Sequence, residues 1–273
     1  MRFIFFIATI LCLCGTARAE VEFVELPGDD KPVQAALYRP AGNGPFPVVV
    51  AMHGCEGLKG NSGTIRPLLD EWGKRLAAGG FLVLLPDSYS SRGLSSQCRE
   101  KTIKIRPDRE RVTDIRAARD WLQQQDFVRA DRIALLGWDN GAIAVLWAIR
   151  PSFEPDDERP DFRSAAVLYP GCRRLNETAW STRVPTLVLI GALDDWTPAK
   201  NCEQMVAGAR GRSARAVIVK YKGAHHAFDR DNLPLRQLRG VAFSSNDAGR
   251  VTLGTNADAR ADVIKRVPEW FSR

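Results

Sequence analysis

Residues 132–147 read Arg-Ile-Ala-Leu-Leu-Gly-Trp-Asp-Asn-Gly-Ala-Ile-Ala-Val-Leu-Trp, and this stretch restricts the fold more than any other part of the chain. A short apolar run, a turn bounded by Gly137 and Gly141, and a second apolar run of helical length predict a buried strand that turns tightly into a buried helix. That is the layout of a nucleophile elbow. The two glycines permit the sharp turn, and the central side chain stands exposed above a sheet edge beside the next backbone N–H. In the usual form the central residue is serine; here it is Asp139. An aspartate at a strand-to-helix junction also serves as an N-cap or turn former, so the elbow reading depends on the rest of the chain.

The rest alternates between strand and helix. Two strand candidates, 21–26 and 33–38, flank Pro27-Gly-Asp-Asp and predict an antiparallel hairpin. Strands then follow at 47–52, 81–85, 132–136, 164–169, 186–190 and 216–221, with helices at 64–78, 108–125, 141–149, 199–208 and 258–271. Continuous Val/Ile/Leu runs imply strands covered on both faces, and the alternation implies a parallel sheet. The expected fold is α/β, a three-layer sandwich whose mostly parallel sheet begins with an antiparallel hairpin. Two irregular stretches, 88–107 and 230–256, fall at the expected ligand edge. The mixed charges of 106–119 read as a solvated helix face.

Residues 1–19 have a basic Arg2, an apolar run and a terminal Ala17-Arg18-Ala19, the pattern of a secretory signal peptide. One domain is expected over 20–273, in the periplasm or outside the cell, with no later run long enough to span a membrane. Losing Arg2 and Arg18 lowers the formal charge of +7 by two, and the remaining excess is scattered. Scattered charge gives no nucleic-acid stripe but favours small anionic substrates. A monomer is expected. Beyond the signal remain Cys55, Cys98, Cys172 and Cys202, an even number that permits disulfides in an oxidising compartment. Cys172 and Cys202 follow consecutive strands at one sheet edge and are the preferred pair.

Three further segments complete a constellation. His53-Gly54-Cys55-Glu56-Gly57-Leu58 is a glycine-rich turn after a strand, and the N–H groups of Cys55 and Asn140 are assigned to an oxyanion hole. Alone, the segment would equally be a plain turn with His53 bracing the loop. Leu189–Pro198 places Asp194 and Asp195 just past a strand; Asp194 is preferred as the acid. Tyr221–Phe228 supplies His225 and His226, of which His226 is the candidate base and His225 a brace. No cysteine or carboxylate at zinc spacing flanks the histidine pair, so neither a metal nor another cofactor is expected.

These segments, together with Pro86-Asp87-Ser-Tyr89-x-x-Arg92-Gly93 and Tyr169-Pro-Gly-Cys172, resemble the dienelactone hydrolase family over nearly the whole chain after residue 19. The resemblance implies an α/β-hydrolase with a Cys or Ser nucleophile, Asp and His, acting on lactones or esters of small carboxylic acids. It gives Asp194 and His226 the acid and base roles, and Arg92 that of holding a substrate carboxylate. Trp138 and Trp196 are expected to line the substrate site. The departure is Asp139. A carboxylate attacking an ester carbonyl forms a mixed anhydride, whereas attack on saturated carbon forms an ordinary ester. Three readings follow: an exported family member with weakened or lost ester hydrolysis, an Asp-nucleophile hydrolase of alkyl halides or epoxides, and a catalytically silent ligand binder, including one created by a Ser-to-Asp substitution.

Overall fold

In the computed structural model, residues 21–28, 31–245 and 249–273 are described; the expected signal peptide lies outside them. Eight strands form one sheet: β1 (Val21–Leu26), β2 (Val33–Tyr38), β3 (Phe46–Met52), β4 (Leu82–Pro86), β5 (Val128–Trp138), β6 (Ser164–Leu168), β7 (Thr186–Gly191) and β8 (Ala216–Tyr221), in the order β1-β2-β4-β3-β5-β6-β7-β8. β1 and β2 pair antiparallel as the hairpin, β2 pairs antiparallel with β4, and all later pairings are parallel. The α/β expectation holds.

Alternation along the strands feeds two cores. Val48, Val50 and Met52 of β3 face one layer, and Val49 and Ala51 face the other. Helices α2 (Glu110–Leu122), α3 (Asn140–Ala148) and α5 (Ala199–Gly208) cover the first face. Helices α1 (Pro67–Ala78) and α6 (Ala257–Phe271) cover the second. Burial on both faces is why the strands read as unbroken apolar runs. Among the described residues, no helix is long and apolar enough to cross a membrane.

Four expectations change. Helix α1 begins at Pro67 rather than at 64, because proline fixes φ and needs no donor in the first helical turn. The 230–256 stretch is not wholly irregular: β9 (Arg236–Leu238) and β10 (Val251–Leu253) pair antiparallel. A short α4 (Arg173–Glu177) follows β6. The charged 106–119 segment is not simply a solvated face, since Arg111, Asp114 and Arg119 are buried. Arg119 pairs with Asp157, and Asp114 takes a two-point ion pair from Arg92 at 2.7 and 3.1 Å.

Two disulfides join the expected site edge. Cys172 bonds Cys202, linking the segment after β6 to α5, and Cys55 bonds Cys98, linking the His53 turn to the 88–107 loop. The preferred pair is present, and the other two cysteines form the second bridge.

Candidate active site

The elbow forms where the sequence puts it, but the strain is distributed differently from the glycine argument. Neither flanking glycine has positive φ; Asp139 does, at φ 50° and ψ −116°. The glycines are needed for close approach. A methyl group at Gly141 would stand 2.1 Å from the carbonyl oxygen of Met52, and one at Gly137 would stand 2.7 Å from that of Gly141. Tyr169 and Ala227, also at the site, share the left-handed φ region, so backbone strain gathers around one point of the sheet edge.

Two arms meet at that point. On the first, Asp194 follows β7 and is almost fully buried. One of its oxygens accepts the N–H groups of Trp196 and Thr197 at 3.0 and 2.8 Å. The other accepts the Thr197 hydroxyl and lies 2.9 Å from His226 Nδ1. Every lone pair is directed, so the imidazole is oriented by a carboxylate that cannot rotate away. Burial pulls the His226 pKa down, but the charge and hydrogen bond of Asp194, with the charge of Asp139, outweigh it and raise the pKa. Asp195 turns elsewhere, accepting the backbone N–H and hydroxyl of Thr252 on β10.

On the second arm, the Cys55 N–H donates to Asp139 Oδ2 at 2.7 Å. The expected oxyanion donor therefore already holds a negative oxygen, and that oxygen belongs to the protein. His53 is fully buried in this turn; its Nε2 accepts the Ser88 N–H at 3.2 Å, and Nδ1 lies 2.8 Å from the Gly54 carbonyl. These bonds fit one neutral tautomer. Burial first, then the Arg111 charge, hold its pKa well below the usual histidine value. It braces the loop.

Arg111, from α2, is a site residue that sequence reasoning missed. Its guanidinium donates to the Asn140 side-chain oxygen and to the His53 carbonyl, both at 2.7 Å, and lies over the Tyr89 ring. One buried cation thus joins the two loops assigned to the oxyanion hole. A charge within an apolar helical face was its only sequence signal. His225 has no hydrogen-bond partner at its buried Nδ1, so the bracing expected of it is not visible there.

Three residues expected to meet substrate occupy different places. Trp196 lines the site and packs over His226, with ring centroids 4.7 Å apart. Trp138 is buried, its indole N–H donating to Asp229 at 2.9 Å, but it still contributes to the wall of the cavity that holds His226. Arg92 points to Asp114 and lines neither cavity beside the elbow. Arg230 stands instead in the cavity with His226, in contact with Glu56. Burial would raise the Glu56 pKa, but Arg230 and Arg66 hold it below the ordinary carboxylate value. Arg230 sits four residues after His226, a spacing that could have nominated it. Beneath it, Asp229 accepts hydrogen bonds from Trp72, Trp138 and Tyr169, and burial raises its pKa.

The sequence model of the dienelactone hydrolase family matches residues 33–273. A Salmonella typhimurium protein named "Putative carboxymethylenebutenolidase" is 26% identical over 277 residues, covering 95% of this chain and 88% of that protein. A Bradyrhizobium protein named "Probable 2-oxo-3-(5-oxofuran-2-ylidene)propanoate lactonase" is 25% identical over 228 residues, covering 78% of this chain and 86% of that one. Among solved structures, a dienelactone hydrolase-like promiscuous phosphotriesterase, P91, from metagenomic libraries superposes with a TM-score of 0.72 at 17% identity, over 94% of this chain and 98% of its own; this likeness concerns the fold. With the family match running through elbow, acid and histidine alike, the chain belongs to the dienelactone hydrolase family.

Proposed function

We propose that this protein is an exported hydrolase of small carboxylic esters or lactones, in which Asp139 holds turnover far below what the surrounding site would support. The observation that carries the reading is the 2.7 Å bond from the Cys55 N–H to Asp139 Oδ2, beside a complete Asp194–His226 pair. A developing oxyanion needs that donor, and the carboxylate competes for it with a full negative charge. The names of the relatives support lactones and esters as the substrate class. Arg230, in the cavity of His226, supports a substrate carrying an acid group on the leaving-group side. The pattern of residues 1–19 and the two disulfides support export.

Attack by Asp139 on a saturated carbon has less support. That chemistry needs donors for a departing halide or alkoxide, and the indole N–H of Trp138, beside Asp139 in the chain, is already engaged on Asp229. The test is turnover of p-nitrophenyl acetate, a small enol lactone, a halocarboxylate and an epoxide by the wild type and by Asp139→Ser. Gain of ester and lactone hydrolysis in the serine variant is the expected result. Halide or epoxide turnover by the wild type, lost in the variant, would replace this reading with the other.

A further inference from the structure

Asp139 stands between two cavities. The smaller, about 460 Å³, contains Glu56, His226 and Arg230; the larger, about 710 Å³, contains none of these. Cys55, Asp139 and Trp196 belong to both walls. An ester cleaved at the elbow lays its acyl part on one side of the carbonyl carbon and its leaving oxygen on the other. The leaving oxygen takes its proton from the histidine. His226 lines only the smaller cavity of the two, so the leaving group belongs there and the acyl part belongs in the larger.

The larger cavity has a definite chemistry. Ile143, Trp147 and Trp196 give it apolar walls of a size suited to a ligand larger than acetate. Farther along its lining are Lys101, Arg106, Arg173 and Arg174, against a single carboxylate there, Asp108. Arg106 and Arg174 both pair with Asp108, at 2.6 and 3.3 Å. Lys101 and Arg173 are exposed and have no carboxylate partner among the described residues. Apolar walls ending in surplus positive charge complement a chain that is apolar next to the ester and anionic at its far end.

Resting on the ester-hydrolase reading above, we infer that the larger cavity is an acyl subsite for medium-length acyl chains ending in a carboxylate, which makes hemiesters of dicarboxylic acids its substrates. In Asp139→Ser the serine oxygen bonds to the acyl carbon and its proton passes to His226. The bond to the leaving oxygen then breaks as that oxygen takes the proton. Water repeats the sequence on the acyl-enzyme and releases the free dicarboxylic acid.

The experiment compares the p-nitrophenyl hemiester of suberic acid with p-nitrophenyl octanoate, equal in length and lacking the distal charge, as substrates of Asp139→Ser. The expected kcat/KM ratio is about fivefold or more in favour of the hemiester, as two exposed cations allow. In Asp139→Ser carrying Lys101→Gln and Arg173→Gln, the ratio should fall toward one. A ratio at or below one in Asp139→Ser, or one that the two substitutions leave unchanged, overturns the subsite. If Asp139→Ser cleaves neither ester, the hydrolase reading fails, and the subsite is judged by calorimetric binding of monomethyl suberate to the wild type. Binding weakened about fivefold by the two substitutions upholds it; no binding, or equal binding, overturns it.

Discussion

The two arms of the site each bury a histidine completely, yet the two rings are pulled in opposite directions. His53 lies near the Arg111 guanidinium and is held neutral, whereas His226 lies near Asp194 and Asp139 and is pushed toward its charged form. Burial works in the same direction on both; the sign of the neighbouring charge decides the outcome. The first arm is a rigid frame whose donor is already occupied. The second is a poised acid–base pair with no proton to collect. Asp139 causes both conditions, accepting from Cys55 on one side and adding negative potential on the other.

Asp139→Ser should separate the arms most sharply. Freeing one oxyanion donor alone is worth on the order of 10²–10³ in rate, and the serine adds a nucleophile. Ester hydrolysis should therefore rise by at least about a hundredfold, measured by p-nitrophenol release. An unaltered rate, with the fold verified by circular dichroism, would refute the view of the second arm as ready for use. In that background, Asp194→Asn should cost about 10⁴ in kcat, because it leaves the histidine in the wrong tautomer. A loss below tenfold would mean that another group orients His226.

Arg111→Met tests the first arm as a frame. It takes the guanidinium donor from the buried His53 carbonyl and leaves the Asn140 oxygen only the Tyr89 hydroxyl, at about 1–3 kcal/mol, and should lower the denaturant midpoint accordingly. Arg111→Lys should recover only part of this, since an ammonium lacks the fork that serves both loops. Equal stability of Arg111→Met and wild type would show that the two loops hold themselves. The smallest effect concerns charge. Asp139→Asn removes one carboxylate facing His226, so its pKa should fall, as followed by NMR of the ring protons. The raised pKa contributes stability that is complete below the unfolded value of about 6.5 and disappears as pH climbs through the folded value. In Asp139→Asn that contribution should shrink and vanish at lower pH.

Much of this was legible in the chain. Periodicity and glycine spacing located the strands of the sheet and the elbow, and the order Asp139, Asp194, His226 located the second arm. The frame was not legible. Arg111 lies in a helix whose alternating charges look solvated, and only the packed α2–α3 contact shows that one of them faces inward. Arg92 read as a substrate ligand because its own neighbourhood matches a family motif, while the partner that occupies it, Asp114, lies 22 residues away. The elbow glycines were correctly singled out for an incomplete reason: the closeness of Met52 is a tertiary fact, and the torsional strain falls on Asp139 itself.

The buried Asp229 has a consequence for how substrates are measured. It sits between His226 and Arg230 in the chain and is pinned by indoles from α1 and β5 and by the hydroxyl that follows β6. A helix and the sheet edge thus clamp the fourth residue of a five-residue segment with a proton carrier at one end and a cation at the other. Such a segment behaves as a ruler with fixed graduations. On the proposed reading of His226 and Arg230, the segment favours substrates in which one covalent length separates the scissile oxygen from a leaving-group carboxylate.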